Sequence, residues 1–396
     1  MSAQRMQLFD DASRIVQAQA RFLGAERVPL ASALNRILAE DVTADLDMPP
    51  FDKSAMDGYA CRREDLDREL TVVETIPAGR PPARRIGRNE CAKIMTGAVV
   101  PEGADCVIKV ENTEQTGEAT VRFDGSETPD NICRRGEDIG RGDIVLQRGR
   151  KLCAQQIAVL ATVGCVRPLV ARQPRVGIVP TGSELVEPDR KPRESQIRNS
   201  NGYQLCAQAA AADVISRRYG IAPDTGPDLE GVVKQAAREN DVVLLSGGVS
   251  MGDFDLVPDV LTRNGVRLLF RKVAVKPGMP TVFGVSEEAF FFGLPGNPVS
   301  TFVLFELLVK PFLCKLMGHD FHPAVARMRL AKTVTRKKVA RDSWLPVRCT
   351  GEGEVSAIEY HGSAHINALA WADGMICIPR GIRELRQGDL VDVRQI

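Results

Sequence analysis

Residues 241–255 join a strand pattern to a loop whose side chains could bind a metal ion or orient a polar group. The apolar run 242–245 is unbroken, which predicts a strand buried on both faces, as in a parallel sheet. A buried strand that runs into a glycine loop is where an open α/β sheet binds its ligand, because a backbone without Cβ atoms allows close approach. An ordinary tight turn with solvated acids is the alternative. The loop residues concerned are Ser246, Gly247, Gly248, Ser250 and Gly252, with the acids Asp253 and Asp255.

Three acids each follow a predicted strand of one α/β unit. Strand and helix patterns alternate over residues 174–246, and this order favours a parallel sheet. Glu184 follows the first strand, Asp224 the second and Asp253 the third. Because the carboxyl ends of parallel strands meet at one edge, we expect these acids to converge. The predicted elements are strands at 174–179, 214–219 and 241–246, and helices at 201–212 and 228–240.

Polar loops outside this unit could also present groups to a ligand. Two prolines block regular structure in residues 48–59, and this loop offers Asp57. Thr96 and the glycine after it could donate a hydroxyl and backbone amides to a phosphate. Arg134 and Arg135 stand beside acids, either as a solvated surface pair or as a bidentate anion clamp. Taken alone, each of these segments is also explained by an ordered turn or a surface ion pair.

The composition excludes several classes of function. Lys and Arg total 52 and Asp and Glu total 51, so the net charge of +1 argues against bulk nucleic-acid binding and a basic membrane surface. Aromatic residues make up only 5%, which argues against base-stacking platforms. The sequence therefore favours a small-molecule ligand over a nucleic acid or a membrane.

The cysteines and the N-terminal residues indicate in which cellular compartment the protein is expected. None of the 10 cysteines forms a CxxC pair, so zinc-ribbon and thioredoxin spacings are absent. Scattered cysteines in a chain of 396 residues favour free thiols in a reducing compartment. The first residues lack the apolar segment of a signal peptide, so we expect a cytoplasmic protein.

The remaining segments have helical patterns, followed by strand patterns in the C-terminal part of the chain. Short helices are predicted at 31–38 and 155–163, and an apolar helix at 298–317. Glu306, Lys310 and Pro311 lie inside the last of these, so we expect a buried helix rather than a membrane span. After residue 322, turn signals separate short strand patterns, which predicts a small C-terminal β domain. Its strands are expected at 329–334, 344–349, 354–358, 374–378 and 390–393.

Several motifs together resemble the MoeA-type molybdopterin molybdenumtransferases, the family of the gephyrin E domain. The resemblance extends from about residue 8 to the C-terminus, and the motifs stand in the family's order. Those with the highest specificity are PPFDKSAMDGYA (49–60), PTGSEL (180–185) and LPGNPVS (294–300). The others are IMTGAVVPEGAD (94–105), RRGEDI (134–139), SGGVSMGDFD (246–255) and VKPG (275–278).

The resemblance implies a reaction and an architecture. The family inserts molybdenum from molybdate into adenylyl-molybdopterin, uses Mg²⁺ and releases AMP, and its subunits form homodimers. The implied fold is multidomain α/β plus β, with a central three-layer α/β/α molybdopterin-binding domain, a β-rich domain and a small C-terminal β-barrel-like domain. The implied domains are a discontinuous domain I (1–45 and 140–173), domain II (46–139), domain III (174–320) and domain IV (321–396). Molybdopterin adenylyltransferase and recipient molybdoenzymes are further candidate partners.

The resemblance also assigns roles to residues. It implies Asp57, Glu184 and Asp253 as catalytic residues, and Asp224 and Asp253 as Mg²⁺ ligands, which suits the preference of this ion for hard oxygen. Molybdate is a dianion, and Lys276, Arg348 and Ser363 match the family's oxyanion site. The remaining positions implied at the pterin and phosphate are Thr96, Arg134, Asp138, Ser246, Gly247, Gly248, Ser250 and Gly252. The β domain would face the α/β domain of the other subunit, which implies a site shared across the dimer.

One departure leaves alternatives open. The family commonly has Lys-Pro-Gly-Lys where this chain has Met279 at the second lysine. Loss of a cation near a dianion weakens attraction, by about 1–3 kcal/mol in a partly desolvated site; a neighbouring Arg such as Arg271 could substitute. The alternatives are a paralogue that inserts tungstate or acts on a variant pterin, and a non-catalytic cofactor carrier or scaffold.

Overall fold

The first part of the chain is built from short strands. The computed structural model describes residues 6–223, 226–249, 256–359, 362 and 364–396. Two helices lie in this part, α1 (Phe9–Ala18) and α2 (Ala154–Thr162). The strands are β1 (Ala25–Arg27), β2 (Val42–Thr43), β3 (Lys53–Ser54), β4 (Gly58–Cys61), β5 (Glu69–Ile76), β6 (Glu90–Ile94), β7 (Cys106–Lys109), β8 (Thr113–Gln115), β9 (Thr120–Phe123), β10 (Ile132–Cys133), β11 (Ile144–Leu146) and β12 (Leu169–Ala171).

Two segments distant in sequence pack together in this part. Strand β1 pairs with β12, and β2 pairs with β11, both antiparallel. Val28, Leu38, Leu160 and Val170 share one buried core. Residues near 25–44 therefore fold against residues near 144–171. Of the strands between them, β3 pairs with β10, and β4–β9 form a separate sheet.

That separate sheet has six strands in the order β7-β4-β6-β5-β9-β8. Strand β4 is central to its first half and is buried along its whole length. It follows directly on Asp57, so this sheet fixes the position of the polar loop 48–57. Cys61, Cys91 and Cys106 lie side by side on three neighbouring strands and are fully buried free thiols.

The central part of the chain forms the predicted α/β unit. Its helices are α3 (Ser200–Ala211), α4 (Gly226–Glu239), α5 (Val257–Arg263), α6 (Pro298–Leu304) and α7 (Lys310–Leu316). Its strands are β13 (Arg175–Pro180), β14 (Leu185–Val186), β15 (Ile197–Arg198), β16 (Ile215–Arg218), β17 (Val242–Ser246), β18 (Arg267–Phe270), β19 (Val275–Lys276), β20 (Val282–Val285) and β21 (Phe290–Leu294).

The main sheet of this unit has the strand order β16-β13-β17-β21-β20-β18. Strands β16, β13, β17 and β21 are parallel, as predicted, and β20 runs antiparallel to both of its neighbours. Alternate residues of β17 enter two cores. Val242 and Leu244 pack with α3 and α6 on one face, and Val243 and Leu245 pack with α4 and α5 on the other. The three-layer α/β/α arrangement is therefore confirmed.

Two helix predictions differ from the structure. Residues 31–38 do not form a helix, because only a single 3-10 turn, Leu30–Ser32, is present there. Ile37 and Leu38 instead make bridges to Lys151 and Val170, so tertiary pairing overrides the local pattern. The helix predicted at 298–317 is buried but contains a π-helical segment, Phe305–Val309, between α6 and α7. No helix in the described residues is long and apolar enough to cross a membrane.

The C-terminal strands close into a small barrel. The strands are β22 (Val325–Leu330), β23 (Val334–Thr335), β24 (Asp342–Cys349), β25 (Glu354–Ala357), β26 (Gly374–Ile378), β27 (Glu384–Leu385) and β28 (Leu390–Gln395). The order β24-β25-β22-β28-β26 is closed by a further pairing between β24 and β26. Since a closed sheet has no free edge, this predicted β domain is a barrel.

Several contacts join the barrel to the central unit. Strand β19 pairs in parallel with β24, with Lys276 opposite Ser343. Arg394 on β28 donates to the backbone oxygen of Glu306 in the π-helical segment. Glu306 is buried, and its carboxylate accepts from Gln208 (3.0 Å) and Lys310 (2.9 Å). The barrel is therefore held to the central unit by strand pairing, by the Arg394 contact and by apolar packing, since Met375 and Trp344 share a core with the main sheet.

An ion pair at the amino end of the main sheet gives a prediction about pH. Asp241 accepts from the Arg172 guanidinium (2.9 and 3.1 Å) and from the backbone amide of Arg175 (2.8 Å). Burial acts to raise the pKa of Asp241, but these hydrogen bonds outweigh it and the pKa is lowered. We expect Asp241→Asn to lower the free energy of unfolding by about 2 kcal/mol near neutral pH.

This stabilisation should depend on pH in one direction. It is present above the ordinary Asp pKa of about 3.9 and is lost as pH falls through the lower pKa of the folded state. Urea unfolding of both proteins at several pH values measures the difference. A gap between wild type and Asp241→Asn that stayed constant into the acid range would contradict this account.

Candidate functional site

Three loops meet at the carboxyl edge of the main sheet. The backbone amide of Thr181, after β13, donates to the carbonyl of Ser246 at the end of β17 (2.9 Å). The amide of Ala222, after β16, donates to the carbonyl of Pro180 (2.8 Å), and Thr181 forms a parallel bridge with Ala222. The loops that lead to Glu184, Asp224 and Asp253 therefore start side by side, as predicted.

At Gly247 the backbone closely approaches two neighbouring loops of this edge. Its φ is +104°, and a Cβ there would clash with the carbonyl oxygen of Thr181. Its amide donates to the carbonyl of Leu294 (3.0 Å), and a Cβ on Gly296 would lie 3.7 Å from the Gly247 Cα. The loop after β21 therefore joins the loops after β13, β16 and β17 at this edge. Gly247, in the loop after β17, contacts both the loop after β13 and the loop after β21.

Glu184 is the acid of the predicted trio that can be placed. It is exposed, and a Cβ on Gly182 would lie 2.6 Å from its carboxylate. Asp224, Ser250, Gly252, Asp253 and Asp255 lie outside the described residues. Within residues 6–223, 226–249, 256–359 and 364–396, no group of three or more acidic, histidine or cysteine side chains could hold a metal ion. An exposed carboxylate at this edge nevertheless has the hard oxygen chemistry that Mg²⁺ prefers.

Buried polar atoms without partners surround the same edge. Ser246 is 2% exposed and its hydroxyl has no hydrogen-bond partner within the described structure. Asn199 and Asn201 begin helix α3 and are 1% and 8% exposed. Asn199 Nδ2 and Asn201 Oδ1 are also unpaired within that part of the chain. Sequence reasoning missed both asparagines, although Asn before a helical pattern is a recognisable N-cap signal.

A second polar group is formed at the edge of the N-terminal sheet. Asp57 Oδ1 accepts from the backbone amide (2.6 Å) and the hydroxyl (2.8 Å) of Thr96. The amide of Thr96, and then its hydroxyl, lower the pKa of Asp57 below its ordinary range. Asp57 is thus held as an exposed carboxylate. The two Thr96 donors predicted to face a phosphate are directed at Asp57 instead.

Arg134 belongs to the same region and is paired with acids. Its guanidinium contacts Asp52 (3.0 Å) and Asp130 (3.1 Å) and is about half exposed. Hydrogen bonding to Asp52 is the main reason that the pKa of Arg134 is raised. Asp138 is exposed, and its backbone amide donates to the carbonyl of Met48 (3.1 Å). Arg134 therefore forms the surface ion pair that the sequence offered as one interpretation, and the bidentate anion clamp stays a prediction.

The predicted oxyanion residues are spread along one strand pairing. Lys276 is exposed on β19, opposite Ser343 of β24. Arg348 lies five residues further along β24, about 16 Å at 3.3 Å per residue, and its guanidinium stands over the Trp371 ring at 6.0 Å. Met279 is half-buried, and its carbonyl accepts from the amide of Val273 (2.9 Å). Ser363 lies outside the described residues.

Within the described residues, most of the predicted site residues fall into two polar groups. Glu184, Ser246, Gly247 and Gly248 lie together at the carboxyl edge. Asp57, Thr96, Arg134 and Asp138 lie on the N-terminal sheet and its loops. Among the described residues, no hydrogen bond or ion pair joins the group around Asp57 and Thr96 to the group around Glu184 and Gly247.

Comparison with known proteins assigns the family. Residues 8–164 match the family model described as "MoeA N-terminal region (domain I and II)", 177–315 the "Probable molybdopterin binding domain" and 327–396 the "MoeA C-terminal region (domain IV)". A molybdopterin molybdenumtransferase of Staphylococcus epidermidis is 36% identical over 380 residues, covering 92% of this chain and 90% of that protein. This chain belongs to the molybdopterin molybdenumtransferase family.

Further relatives agree with this assignment. A molybdopterin molybdenumtransferase of Haemophilus influenzae is 36% identical over 379 residues, covering 93% of each chain. The crystal structure of a molybdopterin biosynthesis moeA protein from Pyrococcus horikoshii superposes with a TM-score of 0.86 at 29% identity, covering 99% of this chain and 100% of that one. The resemblance seen in the motifs is confirmed, and the multidomain α/β plus β fold is that of the molybdenumtransferase family.

Proposed function

We propose that this protein inserts molybdenum from molybdate into adenylyl-molybdopterin, with Mg²⁺, and releases AMP, in the cytoplasm. The observation that carries the proposal is the match of three family regions in order across residues 8–396. The carboxyl-edge geometry supports it, because the Gly247 backbone and four loops offer a ligand the close approach that a phosphoanhydride needs.

The chain's own residues are assigned binding and orienting roles. The Gly247 and Gly248 backbone would lie against the pterin and phosphate, with Ser250 and Gly252 continuing that loop. Lys276, Arg348 and Ser363 would attract molybdate as cations and a hydroxyl donor. Asp224 and Asp253 would hold Mg²⁺, which would neutralise charge on the phosphoanhydride, and Glu184 would supply a further carboxylate. Asp57, held ionised by Thr96, would act on the substrate as a carboxylate.

We also propose a homodimer whose two subunits complete each site. Among the described residues of one chain, no hydrogen bond or ion pair joins the group around Asp57 to the carboxyl-edge group around Glu184. A second copy would bring the N-terminal sheet of one subunit to the carboxyl edge of the other. The proposed division is domain I (1–45 and 140–173), domain II (46–139), domain III (174–320) and domain IV (321–396). Pairing of β1 with β12 and β2 with β11 supports the discontinuous first domain.

A direct assay tests the proposed function. Purified protein is incubated with adenylyl-molybdopterin, Mg²⁺ and either molybdate or tungstate, and both the metallated cofactor and AMP are measured. Molybdate-dependent cofactor formation with AMP release is the expected result. Turnover with tungstate alone would support the paralogue alternative, and binding of the pterin without any AMP release would support a carrier.

Met279 gives a prediction about the oxyanion. Met279→Lys restores the cation that the family commonly has in this motif and should tighten molybdate binding by about 5- to 100-fold, because it adds a charge near a dianion. Isothermal titration with molybdate measures the change. Met279→Leu is the neutral control of similar size. Equal affinities for all three proteins would make this departure from the motif irrelevant to molybdate.

A further inference from the structure

Three buried polar atoms at the carboxyl edge have no hydrogen-bond partner among the described residues, and together they include a donor, an acceptor and a hydroxyl. Asn199, Asn201 and Ser246 are all at least nine-tenths buried, yet each keeps one polar atom without a partner within the described residues. A buried polar group without a hydrogen bond costs about 1–3 kcal/mol, so such atoms require an explanation. Three of them beside one glycine loop indicate a ligand-facing surface.

The orientation of both amides is fixed by their other hydrogen bonds. Asn199 Oδ1 accepts from the backbone amide of Gly202 (3.0 Å), so its free atom is the donor Nδ2. Asn201 Nδ2 donates to the carbonyl of Gly296 (2.7 Å), so its free atom is the acceptor Oδ1. A reversed amide would place oxygen against oxygen at Gly296 and nitrogen against nitrogen at Gly202. The surface therefore offers one donor and one acceptor, with a hydroxyl that can serve as either.

Contacts place these atoms around the same loops. A Cβ on Gly202 would lie 2.9 Å from both the Asn199 amide and Pro180, which is the strand neighbour of Ser246. The hydrogen bond of Asn201 to Gly296 holds the loop after β21 beside Gly247. Asn199 and Asn201 therefore border the glycine loop from the side of helix α3.

This pattern does not suit a phosphate. An ionised phosphate presents only acceptors, so the free Oδ1 of Asn201 would repel it. An acceptor beside a donor instead suits the edge of a nitrogen heterocycle, which carries an amino or ring N–H next to a ring nitrogen or carbonyl. Adenine and pterin both have such an edge.

We propose that Asn199, Asn201 and Ser246 recognise the hydrogen-bonding edge of the heterocycle in the substrate. This inference rests on the proposed function, because that function supplies the two candidate heterocycles. Asn201 is also a positioning residue, since its Nδ2 holds Gly296 and leaves its Oδ1 for the ligand.

The test uses variants that keep the fold of the helix start. Asn199→Ser retains an N-cap acceptor for Gly202 but removes the free donor, and Ser246→Ala removes the free hydroxyl. Asn264→Ser is the matched control, because Asn264 has the same arrangement after α5: Nδ2 donates to Val260 (2.8 Å) and Oδ1 is unpaired among the described residues. Dissociation constants of AMP, IMP and molybdopterin are measured for the full-length proteins, with thermal unfolding as the check on folding.

We expect about a 10-fold or larger loss of affinity in Asn199→Ser and Ser246→Ala for the probe whose heterocycle is recognised, and no change in Asn264→Ser. If that heterocycle is adenine, AMP is affected and IMP binds the wild type more weakly, because IMP has a carbonyl oxygen where adenine has the amino donor for Asn201, and its ring N–H takes the place of the adenine acceptor. If it is pterin, molybdopterin is affected and AMP is not. Unchanged affinity of both variants for AMP and molybdopterin would overturn this inference alone. A wild-type protein that bound neither would overturn the proposed function as well.

Discussion

Gly247→Ala should abolish molybdenum insertion and lower the free energy of unfolding by about 3 kcal/mol. An alanine at a φ of +104° costs about 1–3 kcal/mol in backbone strain, and its Cβ would clash with the carbonyl oxygen of Thr181. That carbonyl belongs to the neighbouring loop of the carboxyl edge, so relief of the clash must separate two of the loops that form the site. Urea unfolding and the AMP-release assay measure the two effects.

Gly265→Ala is the control for the backbone cost alone. Gly265 has a φ of +76° at the end of α5, and a Cβ there would meet nothing within 4 Å. We expect a loss of about 1 kcal/mol and normal insertion activity. Equal stability losses in the two variants, or normal activity of Gly247→Ala, would refute the central place given to Gly247.

Asp57→Asn should lower the rate of insertion by about 100- to 10,000-fold while the fold is retained. The amide oxygen of asparagine can still accept from Thr96, so the local turn survives, but the negative charge is lost. Because the pKa of Asp57 is already below its ordinary range, the carboxylate remains ionised across the neutral range, and wild-type activity should show no loss from this group until the pH falls below about 4. Single-turnover AMP release, as a function of pH, checks both statements.

Asp143→Asn is the matched control for this charge removal. Asp143 is also an exposed carboxylate that accepts a backbone amide, that of Gly140 (2.8 Å), outside the proposed site. Its substitution should leave the rate within a factor of about two. If Asp57→Asn were no slower than Asp143→Asn, Asp57 would be a turn residue only.

The parts of the fold that follow from local sequence were predictable. The run 242–245 indicated a strand buried on both faces, and β17 sends alternate side chains into two cores. The order of strands and helices indicated parallel pairing, and this placed the loops after β13, β16 and β17 at one edge. Local periodicity carries this information because it records which faces are buried.

Other parts depend on contacts between distant residues, which no local pattern contains. Residues 31–38 have a helical pattern, yet Ile37 and Leu38 bridge to residues more than a hundred positions away. The unpaired atoms of Asn199 and Asn201 depend on where Gly202 and Gly296 lie, so the sequence alone shows only polar residues near a helix start. The sequence showed Asp57 and Thr96 only as members of two separate polar loops. Their contact with each other is seen in the structure alone.

The pairing of β19 with β24 has a consequence for chimaeric proteins. In a chimaera that exchanged residues 321–396 for those of a relative, the junction would lie between the proposed domains III and IV. Val275 and Lys276 would still have to pair with β24, which would now come from the relative. The new last strand would also have to supply a partner for the Glu306 carbonyl in place of Arg394. Chimaeras that exchange β19 and the π-helical segment along with the barrel should therefore express and fold better than those joined at residue 320 alone.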